Sequence, residues 1–161
     1  MKPQIRWLAI AVLALLAATQ PPVRATQSRE GTARNLSIDE SMGGHTLARH
    51  VGKTDEELAD RLRREPRISA ASTYTDRATA ERAVGAALAA GGGKLSAWEK
   101  RTGRRPNLVL NYTSRGGQPL GRSLRRGQKR AVPSAHAIVV LRWDERARRY
   151  YVLTSYPEAD R

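Results

Sequence analysis

The hydrophobic positions of this chain fall into three regimes. Residues 7–18 form an unbroken apolar run, WLAIAVLALLAA, preceded by Lys2 and Arg6. Between residues 38 and 90 apolar residues recur at roughly helical spacing, interrupted by glycine and proline. From residue 107 onward they gather into short runs rich in valine, leucine and tyrosine, the pattern of strands.

In the helical regime, Ile38, Met42, Leu47 and Val51 are broken by Gly43-Gly44, which predicts a short helix around residues 45–50, ended by Val51-Gly52-Lys53. Thr54-Asp55-Glu56-Glu57 is a capping box, in which the Thr54 hydroxyl accepts from the Glu57 amide and the Glu57 carboxylate returns to the Thr54 amide. The helix it opens should reach about Arg64 and stop before Pro66. Ser72-Thr73-Tyr74-Thr75 reads as a short strand. Asp76 then opens an alanine-rich helix to Ala90 that Gly91-Gly92-Gly93 ends, and residues 95–100, with Trp98, add a further turn.

Three strands follow, NLVLNY (107–112), HAIVVLRW (136–143) and RYYVLTSY (149–156), the last two close enough for a hairpin. Between the first two lies LGRSLRRGQKRA (120–131), whose glycines and lack of period predict a basic loop. Helices first and strands later predict an α+β domain, with N-terminal helices packed on an antiparallel sheet.

Composition adds a targeting reading. Residues 1–25 have the parts of a secretory signal peptide, with cleavage expected after Ala25; the apolar run of 12 residues is short of the roughly 20 needed to span a bilayer. No membrane anchor is therefore expected after cleavage, and the protein is expected to be secreted or periplasmic. Residues 26–35 are polar and without period, a flexible lead-in, and the folded domain is expected over 36–161. The net charge is +14, and removing Lys2, Arg6 and Arg24 lowers it to +11. That field favours a polyanion: nucleic acid, an anionic surface or an acidic partner. With no cysteine, the fold must hold without disulfides and suits a reducing compartment equally well.

The chemistry narrows by motif. Cysteine is missing, the histidines are scattered, and no His-Glu-x-x-His, calcium-loop, phosphate-loop or Gly-x-Ser-x-Gly pattern occurs, so neither a metal site nor a cofactor is expected. Histidine, arginine, hydroxyls and a positive surface are the materials for metal-free RNA cleavage. That reaction needs a base for the ribose 2′-hydroxyl, an acid for the leaving 5′-oxygen, and donors for a charged phosphorane. His50 and Arg61 flank a predicted turn and could face one cleft. Read alone, His50 fits a helix-end histidine favoured by the dipole as well as it fits a catalyst, and Arg61 fits a solvated helix residue. His45, five residues earlier, would sit about 140° round the same helix and not share a face with His50. Thr154 and Tyr156, two apart on a strand, project to one face. Candidate phosphate-binding residues are Lys53, Arg122, Arg125, Arg126, Lys129 and Arg130. A non-enzymatic basic module binding nucleic acid or anionic envelope polymers accounts for the same charge.

The stretches GGHTLARHVGKTDEELADRL, STYTDRATAERAV and YYVLTSYP resemble the bacterial RNase A-like toxin domain of contact-dependent growth inhibition proteins and other polymorphic toxins, over about residues 36–157. The resemblance implies an RNase A-like fold without disulfides, ribonuclease activity in the cytoplasm of a target cell, RNA (tRNA among the candidates) as substrate, and an acidic immunity protein as partner. It implies His50, Arg61, Thr154 and Tyr156 as the catalytic residues. Threonine is too weak an acid to release a proton readily. Thr154 is therefore expected to hydrogen-bond phosphate, and the acid stays open between Tyr156 and His50.

Overall fold

The computed structural model describes residues 32–159, so the expected signal peptide and most of the lead-in lie outside the described residues. Helix α1 spans Leu36–Ser41, its N-terminus capped by the Asn35 side chain accepting from the Ser37 amide at 3.1 Å. It was not expected, because Gly43-Gly44 dominates the local pattern. Its buried Asp39 is the reason this region orders: the carboxylate pairs with Arg34 at 2.7 Å and accepts from the Val152 amide at 2.9 Å. Arg34 and Asn35, expected within the flexible lead-in, are thus engaged with the domain.

Helix α2 (Thr46–His50) is a little over one turn, with His45 as its N-cap residue. Helix α3 (Asp55–Arg64) starts at the expected capping box, with both reciprocal bonds made at 3.2 and 2.7 Å. Strand β1 is Ala70–Tyr74. Helix α4 (Arg77–Ala90) opens on Asp76, whose carboxylate accepts from the Thr79 amide at 2.7 Å. The triple glycine ends α4 at Gly91 but does not stop helical structure, since Gly92 and Gly93 begin α5 (Gly92–Glu99).

Strands β2 (Leu108–Thr113), β3 (Gly121–Arg125), β4 (Val132–Ser134), β5 (His136–Asp144) and β6 (Arg149–Glu158) complete the chain. They form two antiparallel sheets, β1-β3-β4 and β2-β5-β6. The expected basic loop is therefore half strand. Gly121-Arg122-Ser123-Leu124-Arg125 pairs residue for residue with β1, and its buried positions are glycine, serine and leucine, which do not read as an apolar alternation. Glycine is required at 121, where any Cβ would collide with the Thr73 carbonyl.

The main core lies between α4, α5 and one face of the β2-β5-β6 sheet, built from Leu36, Tyr74, Val84, Trp98, Leu110, Val139, Leu141 and Val152. A smaller cluster of Leu58, Leu62, Ala71 and Leu124 seats α3 on the other sheet. Tyr74 and Ser155, hydroxyl to hydroxyl at 2.6 Å, join the two sheets inside the core.

One irregularity positions the functional region. Val140 pairs with Thr154 and Leu141 with Val152, so Leu153 is an extra residue, a β-bulge. Its carbonyl accepts from the His45 amide at 3.0 Å. A Cβ on Gly44 would lie 2.5 Å from the Val152 carbonyl oxygen, so glycine there lets the chain approach β6 closely enough for that bond. Helix α2 is thereby laid across β6.

Candidate active site

His50, the last residue of α2, turns its ring inward and is 6% exposed. Its Nδ1 lies 3.1 Å from the Ser72 carbonyl in β1. A carbonyl only accepts, so Nδ1 carries the hydrogen and Nε2 holds the lone pair. Arg61 reaches over from α3, with Nη1 3.4 Å from that Nε2 and 3.4 Å from the Arg49 carbonyl. Its Nε donates to Glu65 at 3.3 Å, an i,i+4 pair that fixes the plane of the guanidinium. The Tyr156 ring from β6 lies 5.3 Å from the His50 ring, tilted by 32°. Thr154 shares the Tyr156 face of the strand, and its hydroxyl is buried without a hydrogen-bond partner.

Burial, reinforced by the Arg61 charge, lowers the pKa of His50 to about 4. The imidazole is neutral at physiological pH, with its lone pair beside a guanidinium. Burial, and then the Glu158 carboxylate, raise the Tyr156 phenol above its ordinary value, so it keeps its proton as a hydrogen-bond donor. His45 is also lowered, by burial and then by Arg49 and Arg61. The Arg61 charge thus acts on both histidines. His45 is the N-cap residue of α2, with φ −150° and ψ 26°, so it precedes the helix and does not lie about 140° round it.

The depressed His50 pKa links to stability with a definite sign. An unfolded chain protonates this histidine below about pH 6.5, whereas the folded one does so only below about 4. The stabilisation is complete above the unfolded pKa and is lost as pH falls from about 6.5 to about 4, on the order of 3 kcal/mol in all. Urea midpoints measured across that window should fall for the parent chain and fall less for His50→Gln. Parallel curves for the two proteins would contradict the assignment.

The expected phosphate-binding residues divide. Lys53 borders a cleft of about 340 Å³ between α2 and α3 that Arg49, Arg61 and Arg64 also line, and its ammonium is 3.9 Å from Glu57. Arg122 instead holds β3 to the start of α3, donating to Asp55 at 2.5 Å and to the Lys53 carbonyl at 2.7 Å. Arg126 caps the C-terminus of α3, reaching the carbonyls of Leu62, Glu65 and Ile68 at 2.8, 2.9 and 2.9 Å. Arg125 donates to the Ala159 carbonyl at 3.3 Å, and Lys129 and Arg130 sit on the exposed segment that follows the Arg126-Gly127 turn. His136 lies away from His50, with Nδ1 2.8 Å from the Thr113 hydroxyl on the neighbouring strand.

Sequence reasoning missed Ser72, Glu65 and Arg49. Glu65 was legible as the i+4 partner of Arg61. Ser72 and Arg49 act through backbone carbonyls, which no side-chain pattern announces. Among the described residues no cluster of three or more His, Asp or Glu could hold a metal ion.

Comparisons with known proteins point one way. The profile of the bacterial CdiA-CT RNAse A domain matches residues 44–157. A chain in the crystal structure of the CdiA-CT/CdiI complex from Y. kristensenii 33638 is 30% identical, with 71% of this chain and 99% of that chain covered and a TM-score of 0.63. Among curated protein sequences there is no match.

Proposed function

The chain belongs to the bacterial CdiA-CT RNAse A domain family, and from that premise we propose that it is an exported ribonuclease toxin that cleaves RNA without a metal, by attack of the ribose 2′-hydroxyl on the adjacent phosphate. The observation that carries this reading is the buried, neutral His50, its Nδ1 hydrogen held by Ser72 and its Nε2 lone pair turned to Arg61. His50 takes the 2′-hydroxyl proton. Arg61 forks onto the phosphate oxygens. Binding the anion offsets the Arg61 charge that depresses His50, so the base strengthens when substrate arrives. The Thr154 hydroxyl gains from a phosphate oxygen the hydrogen bond it lacks in the fold. Tyr156, protonated and lying beside the His50 ring, donates to the leaving oxygen or to the phosphorane.

The alternative of a non-enzymatic basic module loses ground, because Arg122 and Arg126 are committed to α3. Replacing Lys129 and Arg130 with glutamine should weaken RNA capture at physiological salt through counterion release and leave saturated turnover unchanged. Arg126→Gln should instead lower the melting temperature. Unchanged melting with weakened RNA capture would return Arg126 to the binding surface.

The partner proposed for the producing cell is a small acidic immunity protein, drawn to a chain of net charge +14. Support comes from the crystallised CdiA-CT/CdiI pair. Induced cytoplasmic expression without neighbouring genes should arrest growth and degrade RNA, and His50→Ala should not. Normal growth with the active protein present would count against both toxin and immunity partner.

A further inference from the structure

The bonds that aim His50 do not end at α2. On the outer edge of β6 two backbone groups flank the Leu153 bulge: the Leu153 carbonyl accepts from the His45 amide at 3.0 Å, and the Val152 amide donates to the Asp39 carboxylate at 2.9 Å. The Asp39 carbonyl accepts from the Gly44 amide at 2.9 Å, one residue before His45. A single residue of α1 therefore holds both sides of the junction. Its main chain takes the segment that enters α2, and its side chain takes the strand that α2 crosses. Val152 precedes Thr154 on β6, and His45 leads into the helix that ends at His50, so the junction reaches the site through both elements.

The carboxylate is itself held in place. Asp39 is 1% exposed, and the Arg34 guanidinium donates to it twice, at 2.7 and 2.9 Å. Without such a partner a carboxylate this deeply buried would be costly to keep charged. Arg34 is fixed in turn, its amide donating to the Glu81 carbonyl at 3.0 Å and its guanidinium lying 5.4 Å from the centre of the Tyr150 ring. The Leu36 amide donates to the Glu81 carboxylate at 3.2 Å. Residues 32–36 thus form a strap across α4, and α4 is shaped to receive it. Gly85 stands in a helix otherwise rich in alanine, at a cost in helix propensity, and a Cβ there would collide with the Thr32 carbonyl. Strap and α1 both precede residue 44, where the match to the family profile begins.

We propose that Asp39, clamped by Arg34 on this strap, is a positioning residue of the ribonuclease site: it fixes the Leu153 bulge and, through it, the docking of α2 that sets His50 against Tyr156. Residues 32–41 then belong to the active unit, although none of them lines the cleft beside Arg61. The assignment rests on the ribonuclease reading above.

The test compares the full chain with its Asp39→Asn and Asp39→Ala variants, and with Leu95→Ala, a control that loosens the main core from α5 without touching the clasp. Each is assayed on a mixed-sequence oligoribonucleotide well below its melting temperature, with folding checked by circular dichroism. Asparagine keeps an oxygen for the Val152 amide but loses the charge that holds Arg34, and should lower kcat about threefold; alanine keeps neither and should lower it about tenfold, with KM within about twofold of the parent in both. The acid limb of kcat/KM should rise from about 4 in the same order, because a loosened α2 lets water reach His50, whose burial is the main cause of its depression. The groups facing that ring, Arg61, Arg49, His45 and Tyr156, are the same in every protein compared. Leu95→Ala should melt lower yet keep the parental kcat and acid limb. Parental kcat and acid limb in a folded Asp39→Asn, whatever its melting temperature, reduce Asp39 to a structural role and leave the ribonuclease reading intact; this variant decides alone where Asp39→Ala does not fold. A parent that cuts no RNA overturns both.

Discussion

His50→Ala should reduce RNA cleavage by about 100- to 10,000-fold, the range expected when a positioned proton-transfer group is removed. The fall should appear in kcat more than in KM, because the base acts in the transition state. The burial of His50 adds a cost in stability, since alanine leaves the Ser72 carbonyl without its donor and opens space beside Tyr156, about 1–3 kcal/mol. His50→Gln separates the two effects. An amide nitrogen can restore a bond to Ser72 but supplies no base, so this variant should melt closer to the parent and remain inactive. His45→Ala is the neighbouring control and should retain most activity. An active His50→Gln paired with a dead, well-folded His45→Ala would transfer the role to His45, which lies close enough to Arg61 to feel its charge.

Arg61→Lys should lower turnover by about 100-fold, comparable to removing one preorganised donor from a charged transition state. The guanidinium is held in three directions at once, by Glu65, by the Arg49 carbonyl and by His50 Nε2. An ammonium keeps the charge but cannot satisfy that fork and two phosphate oxygens together. The pH profile offers a second readout. Arg61 helps depress His50, and Arg61→Gln should therefore move the acid limb of kcat/KM upward from about 4, whereas Arg61→Lys should move it less. An Arg61→Lys protein with parental turnover would reduce this residue to a helix-packing role.

Where local chemistry decides structure, the sequence was readable. The Thr54 capping box, the Asp76 cap and the β5-β6 hairpin fall where their side chains placed them. Features that depend on distant partners were not. Helix α1 orders through Asp39, whose partners Arg34 and Val152 lie outside it. Strand β3 hides in an arginine-rich stretch because its inward positions are Gly121, Ser123 and Leu124, small or isolated against β1. For the same reason Arg122 and Arg126 looked like surface charges, although their donors are used on backbone and carboxylate groups of α3 and its flanks. At the candidate site the i,i+2 spacing put Thr154 and Tyr156 on one face. What brings α2, and with it the His50 ring, against Tyr156 is the bulge at Leu153, a pairing irregularity with no signature in its residue types.

Proton transfer by His50 without a metal is the central claim, and the chemistry of the cut ends tests it most directly. The purified protein should be incubated with total RNA and with tRNA in excess chelator, and the termini of the fragments identified. Attack by the 2′-hydroxyl predicts fragments ending in 2′,3′-cyclic phosphate, each downstream piece beginning with a 5′-hydroxyl, at the rate seen without chelator. Cleavage that requires a divalent ion, or that leaves 5′-phosphate ends, would contradict it.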